Sequence, residues 1–341
     1  MERAAVEQRV VERGAERPER EAITSLNQYM ESTGLDLKTT DRYFKIHRTI
    51  VEMLTDRKYD IEPNELASTK SLVGFLKYLF EKKNAEDIIH IETLVEELIK
   101  QGMLKDSRNR FDRFSTDVLP GLSERLNAEE IAESIKQYFE VTSKLVRNLE
   151  DVIKDRIKSK TYIKSIELLN QIYERKTGDL IDKIYVYYYY NVETKKEDTK
   201  VKINDVIMKI TSVQKDNPDV KDILFIAESK PNTQMVDDLK KFKEKMRVEI
   251  FMADHFLFNL TKHFLVPKHH LMTEEEQKDF LSSKEKGLVN RLPKIYENDP
   301  VSKYYGAKVG QIFRIFRESI SDDTMVKTSE FYRYVVPELK K

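Results

Sequence analysis

Apolar positions in the first half of the chain recur at the spacing of an α-helix. Residues 43–54 form the first such stretch, and Asp41 precedes it as a candidate N-cap. Its apolar face consists of Phe44, His47, Ile50, Val51 and Leu54. The sequence therefore predicts an amphipathic helix in this region.

Apolar stripes at helical spacing also run through the region between residues 62 and 177. Asn84 marks the expected start of the second stripe and Gly102 its end, while Asn127 and Glu130 cap the third. Helix is then expected to continue to Gly178. The three stripes are residues 72–80, 88–99 and 131–153. Stripes on at least three helices predict a small bundle with its own core.

The pattern changes at residues 184–190, where isoleucine, valine and five tyrosines predict a strand. A tyrosine run can stack on nucleic-acid bases. Adjacent residues of a strand point to opposite faces of the sheet, however, so most of these rings cannot share one platform. We therefore interpret the run as a core strand. Helices at 204–215 and 232–245 and strands at 222–227 and 248–252 follow, which indicates an α/β arrangement with a small sheet.

The last eighty residues are predicted to form short helices and strands, whose ends are marked by proline, glycine and capping residues. Val266 precedes a proline, which favours extended geometry. Thr273 and Glu276 form a capping box for a helix that ends near residue 281. Pro300 suits the first position of another short helix, with Asp299 before it. Gly306 suits a left-handed cap at the end of that helix.

Gly310 is expected to turn the chain into a strand. In residues 312–317, Ile312, Arg314 and Phe316 alternate with Phe313, Ile315 and Arg317. Residues 331–336 are the natural partner strand. An α/β region with a helical insertion, followed by a small mixed α/β region, places the whole chain in the α+β class.

Length and composition narrow the possible functions. The 341 residues are enough for two or three domains. Sixty basic and sixty acidic residues exclude a globally basic nucleic-acid binder, although a local patch is compatible with this balance. The absence of cysteine excludes disulfides, thiol catalysis and cysteine zinc sites. There is no membrane-spanning apolar run or signal-peptide core, so we expect a soluble intracellular protein.

Several motifs near the C-terminus occur together in a fixed order. They are Leu265-Val266-Pro267-Lys268-His269, Arg291-Leu292-Pro293-Lys294-Ile295, Asp299-Pro300-Val301, the glycine pair Gly306 and Gly310, and Val309 to Arg317 closing on Tyr332-Arg333. In this order they resemble the assembly domain of the fifth subunit of eukaryotic nuclear RNA polymerases, which has a counterpart in the archaeal polymerase. One departure is visible: the family carries R-x-S-x-T-x-G after its first closing strand. Here Arg317-Glu318-Ser319 continues without glycine, which predicts a longer loop between residues 320 and 330.

The resemblance implies a domain organisation. It is strongest over residues 251–336, while residues 184–250 and 43–59 resemble the family's jaw domain. It is expected to stop at about residue 62 and resume after 177. We therefore predict a charged tail at 1–38, a jaw domain at 39–61 and 178–258, a helical insertion at 62–177 and an assembly domain at 259–341. The tail and the insertion suggest a divergent polymerase, such as one encoded by a large DNA virus.

The resemblance also implies a function: a non-catalytic subunit of a DNA-directed RNA polymerase that docks on the largest subunit and flanks downstream duplex DNA. No cofactor, metal, small-molecule substrate or membrane is implied, because the catalytic Mg²⁺ belongs to the large subunits. A cellular eukaryotic subunit would be nuclear, and a viral one would be found in the virion and in the host cytoplasm or nucleus. The residues expected to bind the polymerase are Leu265, Val266, Pro267, His269, Leu292, Pro293, Asp299, Pro300, Gly306, Gly310, Arg314, Arg317 and Arg333.

A DNA-proximal loop is predicted between a core strand and a helix. It comprises Ser229, Lys230, Pro231, Asn232 and Thr233. Asn232 or Thr233 can cap the helix, and a helix N-terminus with a nearby lysine favours phosphate. The alternative is an ordinary strand-to-helix turn.

A second function class is a metal-dependent nuclease. Asp219, Glu228 and Lys230 imitate the P-D…E-x-K signature, in which two carboxylates share a divalent ion and a lysine stabilises developing charge. A strand at about 3.3 Å per residue would separate the carboxylates too far for this. A polymerase-associated scaffold with other partners is a third interpretation.

Two further clusters of residues can be explained either by a binding function or by an ordinary structural role. His255, His263, His269 and His270 could suggest a metal, but they lack the spacing of a helical zinc motif, and a structural role is favoured. A basic cluster could contact DNA phosphates or could be a solvated helix face. It contains Lys240, Lys241, Lys243, Lys245 and Arg247.

Overall fold

The computed structural model describes residue 29 and residues 35–106, 110–119, 128–146, 148–160, 167–178, 180–189, 203–227, 246–282, 288–320 and 326–337. Helices and strands are both abundant in these segments, as expected for the α+β class. The chain forms two compact units that interleave in sequence. The first comprises residues 1–44, 62–173 and 182–253, and the second comprises residues 45–61, 174–181 and 254–341.

The N-terminal half is mainly helical. The amphipathic helix predicted at 43–54 is confirmed as α1, although it begins earlier than expected. Its first turn is held by Asp36, whose Oδ1 accepts the N–H of Thr39 at 2.7 Å, so the assignment of Asp41 as N-cap is wrong. The helices and short strands of this half are α1 (Leu37–Asp56), α2 (Pro63–Ser68), α3 (Leu72–Lys100), β1 (Leu104–Lys105), α4 (Phe111–Arg113) with a π-helical continuation (Phe114–Val118), α5 (Ala128–Tyr138), β2 (Glu140–Val141), α6 (Ser143–Val146) and α7 (Leu149–Lys160).

Two of the predicted stripes belong to one helix. α3 runs without a break through Asn84, so Asn84 does not start a second helix. Ser71 is the N-cap, with its Oγ accepting the N–H of Gly74 at 3.0 Å. Gly102 follows the helix at φ 69°, as predicted for the end of the stripe. The far half of α3 packs with α5 and α7 around Phe114 in one core, so the predicted packing holds for the second and third stripes but does not include the first.

The predicted helix up to Gly178 is wrong. A 3₁₀ turn (Glu167–Leu169) and strand β3 (Gln171–Thr177) occupy this region, followed by β4 (Leu180–Tyr189). The remaining elements of the first unit are α8 (Ile203–Asp216), β5 (Val220–Ala227) and β6 (Arg247–Met252). The sheet order is β3-β4-β5-β6, and β4, β5 and β6 are parallel. The helix predicted at 232–245 lies outside the described residues.

The tyrosine-rich strand is part of the core, as predicted. Tyr185 and Tyr187 lie on one face with ring centroids 6.0 Å apart, and Phe225 of β5 packs against Tyr187. Tyr188 points to the other face and is buried. α8 covers the first face through Ile210 and Val213.

The second unit contains a four-stranded sheet of order β7-β9-β10-β8. β9 pairs antiparallel with β7 and β10, while β8 runs parallel to β10. One face carries Phe313, Ile315 and Val335, and the other carries Ile312, Met272 and Leu292. The elements are two 3₁₀ turns (Ala253–Phe256 and Leu260–Lys262), β7 (Lys268–Leu271), α9 (Glu274–Ser282), α10 (Leu288–Arg291), β8 (Lys294–Tyr296), α11 (Pro300–Tyr304), β9 (Ile312–Ile320) and β10 (Val326–Val336).

The closing hairpin differs from the sequence-based expectation. The predicted strands at 312–317 and 331–336 are confirmed, but both are longer. The antiparallel ladder continues to the pair Ile320 and Val326, where a long loop was expected from residue 320 to 330. The extra residues therefore lengthen the strands, and residues 321–325 lie outside the described segments.

Candidate functional site

The region from Asp299 to Gly310 consists of the short helix α11 and the turn that follows it, and its shape is determined by residues close in sequence. The Oδ1 atom of Asp299 accepts the N–H of Val301 at 2.9 Å, which caps α11 as the sequence predicts. Gly306 ends the helix at φ 62° and Gly310 turns the chain at φ 97°. Both glycines hold backbone conformations that side chains disfavour, so they determine the shape of the turn.

Arg57, which follows α1, anchors this turn. Its Nε donates to the carbonyl oxygen of Tyr304 at 2.8 Å and its Nη2 donates to that of Lys303 at 2.6 Å. Carbonyls at the end of a helix can lack intrahelical donors, so the guanidinium satisfies the Tyr304 carbonyl, which would otherwise need water. The Lys303 carbonyl also accepts the N–H of Gly306 at 3.0 Å. The Arg57 residue is only 7% exposed. Sequence reasoning missed it, because no local pattern links an arginine to carbonyls near residue 304.

A second set of contacts surrounds the Tyr304 hydroxyl. This hydroxyl donates to Asp56 at 2.7 Å and accepts from Nδ2 of Asn259 at 3.0 Å. Asn259 Nδ2 also donates to Glu52 at 2.7 Å, and Lys262 forms an ion pair with the same carboxylate at 2.7 Å. Burial and the neighbouring Asp56 carboxylate raise the pKa of Tyr304 above its usual value, so the hydroxyl stays protonated as a donor.

The loop before β7 presents an apolar tip, which we define as Phe264 and Leu265. These two residues are 87% and 72% exposed. The base of the loop is ordered by Asn259, whose Oδ1 accepts the N–H of Thr261 at 3.0 Å, and by His263, whose Nδ1 accepts the N–H of Leu265 at 3.2 Å. The apolar tip therefore extends from a hydrogen-bonded base, and Val266 and Pro267 are half-buried beneath it.

The predicted capping box at Thr273 and Glu276 is confirmed. Thr273 N–H donates to Oε2 of Glu276 at 2.7 Å, and Glu276 N–H donates to Oγ1 of Thr273 at 3.2 Å. The same carboxylate contacts Nε2 of His270 at 2.9 Å. The Thr273 N–H and His270 hold the pKa of Glu276 below its usual value.

His269 has a structural environment. Its Nδ1 lies 2.6 Å from the carbonyl oxygen of Pro267, and its ring meets Phe313 edge-on at 5.7 Å. Burial lowers the pKa of His269, so the ring is neutral near pH 7. Burial also lowers the pKa of His255. Among the described residues, no group of three or more His, Asp or Glu side chains is arranged to hold a metal ion.

Eight of the thirteen predicted polymerase-binding residues fall into two groups. Leu292 is buried in the sheet core, Asp299 is a helix cap and the two glycines shape the backbone, so these four maintain the structure. Leu265, Pro293, Pro300 and Arg317 are exposed and can contact a partner.

The three predicted arginine contacts lie on opposite faces of the β9–β10 hairpin. Arg314 is on one face and is paired with Glu330, which also accepts from Tyr332. Arg317 and Arg333 are on the other face, where the Arg317 guanidinium lies 4.7 Å from the ring centroid of Phe331.

Other predicted sites fall wholly or partly outside the described residues. They are the loop Ser229, Lys230, Pro231, Asn232 and Thr233, the carboxylate Glu228, and the basic residues Lys240, Lys241, Lys243 and Lys245. Asp219 directly precedes β5 and is exposed, and its Oδ2 lies 3.8 Å from Nζ of Lys183. Within the described residues, every helix is too short or too polar to span a bilayer.

Two family descriptions match the chain. Residues 258–335 match "RNA polymerase Rpb5, C-terminal domain", and residues 37–110 match "RNA polymerase Rpb5, N-terminal domain". The second match corrects the expectation that the resemblance stops near residue 62, because it includes α2 and α3. Much of the region interpreted as an insertion therefore resembles the N-terminal domain itself.

Individual relatives agree with these matches. The chain is 32% identical over 145 residues to "DNA-directed RNA polymerases I, II, and III subunit rpabc1" of Dictyostelium discoideum, covering 42% of this chain and 69% of that protein. It is 28% identical over 141 residues to the RPABC1 subunit of Caenorhabditis briggsae, covering 41% of this chain and 62% of that relative. It is 42% identical over 79 residues to "DNA-directed RNA polymerase subunit Rpo5" of Archaeoglobus fulgidus, covering 23% of this chain and 97% of that protein.

Proposed function

The chain belongs to the Rpb5 family of non-catalytic RNA polymerase subunits, and on this premise we propose how it takes part in transcription. Residues 259–341 serve as an assembly domain that docks on the largest polymerase subunit. The α/β region around β4, β5 and β6 serves as a jaw beside downstream duplex DNA. Neither the matched family descriptions nor the relatives named above favour a nuclease, and the polymerase chemistry belongs to other subunits.

The apolar tip is the observation that carries the docking proposal. Two large apolar side chains, Phe264 and Leu265, are held in water at the end of a loop with a hydrogen-bonded base. Burying such residues against a partner gives roughly 25 cal/mol per Å² of apolar surface. Aromatic anchors surrounded by polar residues are typical of protein interfaces. The exposed prolines 293 and 300 and Arg317 extend the proposed surface.

The proposed DNA contact rests on the position of residues 229–233 in the sequence. They follow β5, which lies between two parallel neighbours. Ligands of parallel sheets bind beyond the carboxyl ends of the strands. A lysine in this loop would contact backbone phosphate without sequence preference.

A eukaryotic polymerase subunit acts in the nucleus, and the relatives named for polymerases I, II and III favour that location for this chain. A viral origin remains a prediction.

The docking proposal is tested by capture of the largest polymerase subunit with the full-length chain. The double variant Phe264→Ser/Leu265→Ser is expected to lose most of the capture at unchanged thermal stability, because both side chains are exposed. Ile89→Ser/Met208→Ser is the matched control, since these side chains are also exposed and belong to the other unit. Unchanged capture by the tip variant would refute the proposal, as would capture that requires only residues 62–177.

The DNA proposal is tested with Lys230→Glu in a reconstituted polymerase on a template with a long downstream duplex. We expect a salt-sensitive loss of elongation-complex stability with subunit assembly unchanged, because phosphate contacts weaken as salt rises. Wild-type stability across the salt titration would leave residues 229–233 as an ordinary turn. Incubation of the purified chain with DNA and Mg²⁺ or Mn²⁺ should give no cleavage.

A further inference from the structure

The β9–β10 hairpin extends past its neighbours in the sheet. The ladder between the two strands continues from Tyr334 and Ile312 to Val326 and Ile320. β7 pairs with β9 only as far as Phe316, and β8 pairs with β10 only over residues 334–336. Beyond these points, the described residues place no third strand beside the hairpin.

The hydrogen bonds at the end of β10 show which backbone groups face outward. The N–H of Val335 donates to Gln311 at 2.9 Å, on the β9 side, whereas the N–H of Tyr334 donates to Pro293 at 2.9 Å, on the β8 side. Backbone groups alternate in direction along an antiparallel strand. The N–H and C=O groups of residues 328, 330 and 332 therefore point away from β9, and we call them the outer edge of β10.

One face of the hairpin carries cations beside this edge. Arg317 pairs in register with Ser329, and its guanidinium leans along β10 to within 4.7 Å of the Phe331 ring centroid. Phe331 is 44% exposed, and Arg333 follows it two residues later on the same face. Among the described residues, no carboxylate lies within ion-pair distance of Arg317 or Arg333.

On the opposite face of the hairpin, the positive charge is balanced by a carboxylate. Arg314 is paired there with Glu330, and the hydroxyl of Tyr332 donates to the same carboxylate at 2.8 Å. A partner that approaches the outer edge would therefore find fixed positive charge on one face only.

We propose that the outer edge of β10 captures an extended segment of a partner protein that carries carboxylates at alternate positions. The segment adds a strand beside residues 328–332, and main-chain hydrogen bonds hold it. Its side chains alternate between the two faces, so carboxylates two residues apart meet Arg317 and Arg333. This inference rests on the proposed docking function, because Arg317 belongs to the proposed contact surface.

Peptide segments suit this surface better than nucleic acid. An outward row of alternating N–H and C=O groups matches the backbone of an extended peptide, while phosphate can use only the N–H groups. Binding to a nucleic acid through the two arginines alone is the alternative that the experiment separates.

The experiment measures fluorescence anisotropy of a labelled octapeptide of alternating Glu and Thr, titrated with the full-length chain. Thr328→Pro removes one outward N–H and leaves the β9 ladder intact, because proline is tolerated where the N–H faces away from the sheet. We expect binding to weaken about two- to tenfold in Thr328→Pro. A similar loss is expected in Arg317→Gln/Arg333→Gln, with thermal stability retained in both variants. Lys268→Gln is the matched control and should bind like wild type, because this exposed lysine lies on the opposite face of the sheet, beside Phe316.

Ser329→Pro checks the assignment of the edge. Residue 329 pairs with Arg317 and its N–H faces β9, so proline there should lower the thermal stability where Thr328→Pro does not. Equal destabilisation by both prolines would overturn the assignment.

Three other outcomes would overturn the inference. They are equal binding of the Glu-Thr peptide and a Lys-Thr peptide, unchanged peptide binding in Thr328→Pro, and binding of duplex DNA that depends on the arginines but not on residue 328. The docking proposal fails separately, when the wild-type chain does not capture the largest subunit although it binds the peptide.

Discussion

Arg57 and Tyr304 are joined by a hydrogen bond of 2.8 Å between the guanidinium Nε and the main-chain carbonyl oxygen, although 247 positions separate them in the sequence. The contact ties the segment after α1 to the end of α11, both within the second unit. A residue from the N-terminal quarter of the chain thereby becomes part of the C-terminal fold.

We expect Arg57→Ala to lower the free energy of unfolding by about 2–4 kcal/mol, because the carbonyls of Tyr304 and Lys303 lose a charged donor and the bond to Tyr304 is buried. Urea denaturation followed by circular dichroism measures the change. Lys308→Ala is the control, since this lysine is exposed and should change the stability by less than about 0.5 kcal/mol. An effect of Arg57→Ala no larger than the control would contradict the anchoring role.

Gly306→Ala is expected to be more destabilising than Gly178→Ala. Both glycines have nearly the same φ, 62° and 61°, so both substitutions incur a left-handed strain of about 1–2 kcal/mol. Only at Gly306 would the new Cβ meet a neighbour, the Arg57 guanidinium carbon at 3.1 Å. A double-mutant cycle checks the cause, since the excess cost should disappear in an Arg57→Ala background. Equal costs at the two glycines would show that Arg57 moves aside freely.

Glu65 should make the stability depend on pH. It is buried, it accepts from Tyr173 at 2.6 Å and from Gln171 at 2.7 Å, and burial raises its pKa above the usual 4.5. The folded state therefore binds this proton more tightly than the unfolded state. The resulting contribution to stability is complete below pH 4.5 and is lost as the pH rises through the raised pKa.

The test compares wild type with Glu65→Gln in chemical denaturation at several pH values from 4 upward. The free energy of unfolding of wild type, relative to the variant, should decrease as the pH rises. Other carboxylates contribute equally to both proteins and cancel in this difference. A difference that is constant or increases with pH would contradict the assignment.

Deleting residues 62–177 is expected to disrupt the first unit. The deletion removes β3 from the sheet and removes Glu65 together with its partner Tyr173. It also removes most of the segment that matches the N-terminal domain. Loss of cooperative unfolding in the deletion variant would agree with this expectation. A deletion variant that unfolds cooperatively and enters polymerase would instead support residues 62–177 as a separable insertion.

Local rules predicted the C-terminal elements well. The capping box at Thr273, the cap at Asp299 and the turn at Gly306 each depend on residues within a few positions, so the sequence contains all the information. The same holds for the alternating strand that became β9. Such elements can be read from neighbouring residues, because their hydrogen bonds close within one turn.

Elements that depend on distant partners were missed. β3 contains Glu174, Arg175 and Lys176, which gave no strand pattern. Its contacts come from elsewhere: the carbonyl of Glu174 accepts the N–H of Asp60 at 2.8 Å, and Arg175 lies 4.8 Å from the Tyr59 ring centroid. The extension of the β9–β10 ladder was missed for a similar reason, since cross-strand pairing replaced the expected loop. Arg57 had no local signal at all.

α3 is one uninterrupted rod of 29 residues, which corresponds to a length of about 43 Å at 1.5 Å per residue. Each residue is rotated by about 100° around the helix axis relative to the residue before it. Inserting a single residue at the middle of α3 would therefore turn the apolar side chains of its second half away from their core. Indels of about seven residues, close to two full turns, would nearly restore the orientation of Leu94 and Leu98 toward their core. Among homologues, insertions and deletions within α3 should therefore occur in steps of about seven residues, while the loops around it can vary by any number of residues.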